Sequence, residues 1–159
     1  MYGPIEDDDF ARQAVQEIRA DDSIDGTSFL TSVIASEDRP RSAAAWAELG
    51  LRQLRIEDEL RAMSADAGAK LLTREIRRAQ RQRSSRVLAG NPMHRRAEGA
   101  LIQWLLGLLD RMGGPPAIDA LRAIAADGAI EDRYRLSAQE RLDRKGALRE
   151  PFEFIAPSA

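Results

Sequence analysis

The segment from Lys70 to Arg81 separates charged from apolar residues, and this separation strongly limits how the chain can fold. Its basic side chains recur at steps of three and four residues and are Lys70, Arg74, Arg77, Arg78 and Arg81. At about 100° per residue they fall within an arc of about 100°, and Leu72, Ile76 and Ala79 fall on the opposite side. The segment is therefore predicted to be a surface helix that buries one face and turns a row of cations towards solvent.

The rest of the sequence also favours helices over strands. Alanine, leucine, arginine and glutamate dominate the composition and are good helix formers, whereas β-branched residues are sparse. A chain of 159 residues can fold as one domain without a metal or a disulfide. The prediction is all-α: a single helical bundle of six to seven helices over residues 1–159, in which 1–7 and 147–159 are extended or flexible tails.

Proline, glycine and capping signals place the ends of the helices. The predicted helices cover about residues 8–20, 27–36, 43–64, 69–88, 93–112, 115–128 and 137–145. The last opens on Ser137 and Glu140, which match a capping box. The helix over 93–112 is apolar on nearly all sides and is predicted to be the central core helix, with Gly99 and Gly107 marking close approaches of a neighbouring helix.

Two sets of apolar residues lie apart from the predicted core. Leu51 and Leu54 form a second stripe on their helix, which either packs against a second neighbouring helix or remains available to a partner. Phe152 and Phe154 alternate with polar residues in the tail, and this alternation favours an extended segment that packs along the bundle or docks on another subunit. These four residues are the candidate apolar interface.

The net charge of −2 conceals a segregation of charge along the chain. Residues 1–25 contain eight acids and two arginines, whereas residues 70–96 contain nine cations and a single acid, Glu75. Nearly all of the cations are arginine, whose planar fork of donors suits carboxylate or phosphate. The acidic and basic regions are therefore candidate partners for each other, within one chain or between copies.

Residues typical of catalysis are scarce in this sequence. There is no cysteine, and the one histidine, His94, lies beside Arg95 and Arg96 without a nucleophile motif. No phosphate-binding glycine loop, dinucleotide-binding glycine pattern or zinc-protease motif occurs. We expect a protein that is not an enzyme and that has no catalytic residues, no cofactor and no small-molecule substrate.

One segment partly resembles a calcium-binding loop. Counting from Asp21, the third, fifth and sixth positions are Ser23, Asp25 and Gly26, but the twelfth is Ser32, where a bidentate glutamate is needed. We expect a solvated turn at this segment and no metal site.

Two features indicate the compartment. The acidic start of the sequence, Glu6 to Asp9, is unlike a basic signal peptide, and the longest apolar run, Ala100 to Leu109, is too short to span a bilayer. The expectation is a cytoplasmic protein without a membrane partner.

The basic helix face remains as the strongest functional feature. The first hypothesis is a non-enzymatic protein–protein interaction module, such as an adaptor, assembly factor or inhibitor, that docks on an acidic surface or on another copy of itself. The alternative is a nucleic-acid-binding protein that uses the same arginines on phosphates. The alternative is weakened by the pI of about 5.6 and by the absence of tyrosine and phenylalanine among these cations. The candidate binding residues are Lys70, Arg74, Arg77, Arg78, Arg81, Arg95 and Arg96, which Arg83 and Arg86 would widen.

Overall fold

All regular secondary structure in the described part of the chain is helical. The computed structural model describes residues 13–14, 16–18, 20, 25–35, 41–86 and 91–155, with side chains for all of these except 33, 35, 41–43 and 147–155. Its bounded helices are α1 (Gly26–Ala35), α2 (Arg41–Arg61), α3 (Ala65–Ser84), α4 (Pro92–Met112), α5 (Gly114–Ala126) and α6 (Asp132–Ile155). Further helical residues lie between 13 and 20, and no strand occurs among the residues described. The predicted all-α helical bundle is confirmed.

The chain divides into two compact units, with one boundary ahead of α3 and the other two inside α3 and α4. The first comprises Met1–Met63 and Arg81–Leu101, and the second comprises Ser64–Gln80 and Ile102–Ala159. The single domain expected over residues 1–159 stays a prediction.

The core of the first unit is built from α1, α2 and α4. Leu30, Trp46, Ile56 and Leu101 are all at most 1% exposed. Helix α1 packs against α2, and a Cβ added at Gly26 would lie 3.4 Å from Leu54 Cδ1. Burying one large apolar side chain stabilises a fold by roughly 1.5–3 kcal/mol, so Leu30 contributes to holding α1 in place.

The core of the second unit draws on all four of its helical segments. Leu72 and Ile76 come from α3, and Leu121 and Ile124 come from α5; all four are fully buried. Helix α4 contributes an almost continuous buried series, which is Ile102, Leu105, Leu106 and Leu109. Helix α5 packs against α6. The α4 segment is thus buried along this part of its length, and its place at the centre of the bundle stays a prediction.

Polar side chains cap the helix starts. Ser64 Oγ accepts a hydrogen bond from Ala67 N at 3.2 Å, and Asn91 Oδ1 accepts one from His94 N at 3.3 Å. Each oxygen satisfies an amide that has no partner inside its own helix. Because Ser64 caps α3, that helix begins at Ala65, four residues earlier than predicted.

The predicted capping box at the start of the last helix is wrong. Helix α6 begins at Asp132, so that Ser137 lies inside it and its hydroxyl donates to Gln103 Oε1 at 3.1 Å. The expected close approach at Gly107 is also wrong, because a Cβ built there meets no atom within 4 Å in the described structure.

Helix α6 spans Asp132–Ile155, whereas the sequence places its end near Lys145 with an extended tail after it. The side chains of 147–155, and residues 156–159 altogether, lie outside the described residues, so the course of the tail stays a prediction. Across the described helices, none is both long enough and apolar enough to cross a bilayer.

Candidate functional site

The basic row on α3 lies on the solvent side of the helix, as its periodicity predicts. All five cations of the row are exposed: Lys70, Arg74, Arg77, Arg78 and Arg81. On the opposite side Leu72, Ile76 and Ala79 are fully buried. Since the helix is fixed through this apolar face, it presents the cations from a firmly packed scaffold.

Two members of the row already contact carboxylates within the chain. Lys70 Nζ lies 3.2 Å from Asp66 Oδ2 one turn earlier on α3, and Arg77 Nε donates to Asp127 Oδ2 at 3.1 Å. The Lys70 pair is strongly exposed, with 79% and 70% of its side chains accessible, and pairs of this kind contribute about 0–1 kcal/mol. The Arg77 pair is less exposed, with 45% and 23% of its side chains accessible.

Asp127 is kept ionised by its surroundings. Ala129 N donates to Asp127 Oδ1 at 2.9 Å, and this hydrogen bond is the main reason that the Asp127 pKa lies below its ordinary value of 3.8. Partial burial opposes the shift, and the guanidinium groups of Arg77 and Arg135 reinforce it. A negative charge therefore stands beside Arg77 at neutral pH.

The other three arginines form what we name the arginine stripe: Arg74, Arg78 and Arg81. Among the described residues, none of the three has a hydrogen-bond or ion-pair partner. They occupy successive turns of one helix face, and their Cα atoms span about 10 Å along the axis. Glu75 is the only acid in this stretch, and it is buried rather than on the stripe. The stripe is thus an exposed positive surface without a charge partner in the described part of the chain.

The remaining predicted cations do not all join this face. Arg83 is 7% exposed and donates through Nη1 to the backbone oxygen of Arg95 at 2.6 Å. The expectation that Arg83 widens the basic face is therefore wrong, because its side chain links α3 to the first turns of α4. Arg86, Arg95 and Arg96 are exposed.

His94 takes part in a polar contact that the sequence analysis did not identify. Its Nε2 lies 3.1 Å from Glu48 Oε2, and one turn further along both helices Arg52 forms an ion pair with Glu98. The two pairs join α2 and α4, which run in the same direction here. The sequence carried a signal: Glu48 and Arg52 are four residues apart, as are His94 and Glu98, so each helix presents its two polar side chains on one face.

The four candidate apolar interface residues have different outcomes. Leu51 and Leu54 are half-buried, and Leu54 lies against α1 at Gly26. For Leu54, this contact matches the first alternative of the sequence analysis, in which the residue packs against a second helix of its own chain. The side chains of Phe152 and Phe154 lie outside the described residues.

The described carboxylates, including that of Asp25, do not form a cluster that could bind a metal ion. Asp25 caps α1, since its carboxylate oxygens accept from Ser28 N and Ser28 Oγ, and these bonds lower its pKa. Residues 21–24 of the segment that resembles a calcium-binding loop lie outside the described residues. Within the described ranges no three potential metal-binding side chains come together.

Comparisons with protein-family models, with curated proteins and with solved structures find no match for this chain. Any proposal about function therefore depends on the geometry of α3 and on the charges around it.

Proposed function

We propose that this protein is a non-enzymatic interaction module that docks the exposed face of α3 on an acidic protein surface. An adaptor, an assembly factor or an inhibitor would use such a face through surface complementarity. The observation that carries the proposal is the arginine stripe: three exposed guanidinium groups on one face of a packed helix, without a partner in the described structure.

The chemistry of the stripe favours carboxylates. A guanidinium group offers donors in a planar fork that matches a carboxylate, and beside the stripe Arg77 already donates one hydrogen bond to the Asp127 carboxylate. Exposed ion pairs contribute only about 0–1 kcal/mol each. The stripe would therefore steer and orient a partner, while affinity requires further contacts around it.

Two observations favour a protein partner over nucleic acid. The chain has a net charge of −2, which opposes non-specific binding to a polyanion. No tyrosine or phenylalanine occurs between Lys70 and Arg96, so the region has no aromatic platform on which bases could stack.

The test compares two triple variants that lower the net charge equally. The stripe variant carries Arg74→Ala, Arg78→Ala and Arg81→Ala. The control carries Arg111→Ala, Arg122→Ala and Arg133→Ala, three exposed arginines on other helices. Each protein is immobilised and exposed to native lysate with and without nuclease treatment, and bound proteins are identified by mass spectrometry. We expect one defined protein to be retained by the wild type and the control and lost from the stripe variant.

Identical recovery by the two variants would contradict the proposal. So would a signal that disappears on nuclease treatment. Fluorescence anisotropy with a duplex DNA and a single-stranded RNA decides the second case: affinity that falls steeply with salt, and falls further in the stripe variant, would assign the stripe to phosphates.

A further inference from the structure

We propose that the acidic segment Glu6–Asp9 of a second copy of this chain docks on the arginine stripe. This inference rests on the proposed function, because it names the acidic surface that the stripe recognises. It makes the protein a self-associating module whose contact joins two different regions of the two copies.

The acidic segment is the densest source of negative charge in the sequence. Glu6, Asp7, Asp8 and Asp9 are consecutive, and the nearest cation along the chain is Arg12. No longer run of acids occurs elsewhere in the chain.

Many exposed carboxylates elsewhere are already matched by a cation on their own helix. Asp58 pairs with Arg61, Asp119 with Arg122 and Asp132 with Arg135, each three residues further along. These carboxylates are therefore poorer partners for the stripe than a run of four acids with no cation among them.

The two charged elements also agree in length. The stripe spans about 10 Å between the Cα atoms of Arg74 and Arg81. Four residues bound in an extended form span about 10 Å as well. Because successive side chains of an extended segment point to opposite sides, about two of the four carboxylates would face the stripe at once, and the other two would add to the negative charge beside it.

Electrostatics sets the character of this association. Exposed ion pairs are individually weak and are screened by salt over about 10 Å at 0.1 M. The contact would therefore be detectable at high protein concentration and low ionic strength, and it would disappear as salt is added. A contact between unlike surfaces also leaves the pair of copies with one free stripe and one free acidic segment, which further copies can occupy.

The test uses charge reversal in the full-length chain. One variant carries Arg74→Glu, Arg78→Glu and Arg81→Glu, and the other carries Glu6→Lys, Asp7→Lys, Asp8→Lys and Asp9→Lys. Sedimentation equilibrium at low and at raised NaCl measures association of the wild type, of each variant and of their equimolar mixture. Far-UV circular dichroism checks that each variant is folded.

We expect the wild type to associate at low salt only, each variant to be monomeric, and the mixture to associate again. The mixture recovers both contacts, since each variant supplies the charge that the other lacks. A control with Arg111→Glu, Arg122→Glu and Arg133→Glu should associate as the wild type does.

A wild type that is monomeric at millimolar concentration and low salt overturns the inference. A segment that docks on the stripe of its own chain would also give a monomer, and that result overturns the inference equally. Association that survives in both reversed variants overturns it as well. The two failures are distinguishable: a monomeric wild type overturns self-association alone, whereas equal recovery of a bound protein by the stripe variant and its control overturns docking through the stripe altogether.

Discussion

Two glycines near the end of α4 should respond in opposite ways to the same substitution. Gly107 is helical, and a Cβ there would meet no described atom within 4 Å. Gly113 has φ 62° and ψ −174°, a region that essentially only glycine occupies. Gly107→Ala should raise the free energy of unfolding by about 0.5–1 kcal/mol through helix propensity. Gly113→Ala should lower it by about 1–3 kcal/mol through backbone strain.

Urea denaturation of both variants measures these changes. A loss of stability in Gly107→Ala would mean that a neighbour fills the space beside Gly107. Only one of these two positions could be predicted from the sequence. A Gly-Gly-Pro-Pro run predicts the turn at Gly113 from local chemistry, whereas the space beside Gly107 depends on neighbours that are distant in sequence.

Asp110 should make the stability of the second unit depend on pH. Burial raises its pKa, but Lys145 and Arg141 outweigh this effect and hold the pKa below 3.8. Lys145 Nζ lies 3.1 Å from Asp110 Oδ1, and Arg141 Nη1 lies 3.0 Å from Oδ2. Because the folded-state pKa lies below the unfolded value, this contribution is present above about pH 4 and is lost as the pH falls through the folded-state pKa.

The variant Asp110→Asn tests this dependence. At pH 7 it should lower the free energy of unfolding by about 1.5–3 kcal/mol, since hydrogen bonds to charged groups are lost. The difference from the wild type should shrink as the pH falls below 4. The exposed Asp143→Asn is the control, and we expect it to change little. A deficit in Asp110→Asn that is constant from pH 7 to pH 3 would refute the assigned ion pairs.

At the element scale, Gln80 of α3 holds the start of α6. Its Nε2 donates to Glu131 Oε2, and its Oε1 accepts from Glu131 N, each at 3.0 Å. Gln80→Met removes both bonds and should lower the free energy of unfolding by about 1–3 kcal/mol. Gln82→Met places the same substitution at an exposed position of the same helix and should have little effect. Equal stabilities of the two variants, measured by thermal denaturation, would exclude this role for Gln80.

The same contact explains why the start of α6 could not be predicted. Ser137 and Glu140 carry a local capping signal, but the partner that meets the backbone ahead of α6 is Gln80, 51 residues earlier in the chain. The faces of α3 were predictable, because the periodicity of its residues determines which side of the helix is buried. Its start was not, since Ser64 caps the helix only once the chain turns at Ala62–Ser64.

For the whole molecule, composition and periodicity were enough to predict an all-α fold and an outward row of cations. They could not predict which cations are matched by distant residues. Arg77 and Arg81 look alike in sequence, yet Arg77 meets Asp127, 50 residues away, and Arg81 has no partner in the described structure. Arg83 looks equally basic and is buried. Arg74, Arg78 and Arg81 form the stripe because, unlike Arg77 and Arg83, they have no hydrogen-bond or ion-pair partner in the described structure.

This distribution of charge predicts behaviour that the net charge does not. A protein with a net charge of −2 should pass through a sulfonated cation exchanger at pH 7, but a concentrated positive stripe attracts the resin at low ionic strength. We expect the wild type to be retained near 20 mM NaCl, a low ionic strength at which screening is weak. The variant Arg74→Ala, Arg78→Ala, Arg81→Ala should elute earlier than the variant Arg111→Ala, Arg122→Ala, Arg133→Ala. Because both variants lose three charges, any difference in elution reports where the charges lie, and co-elution would show that the stripe is not an exposed, concentrated positive surface.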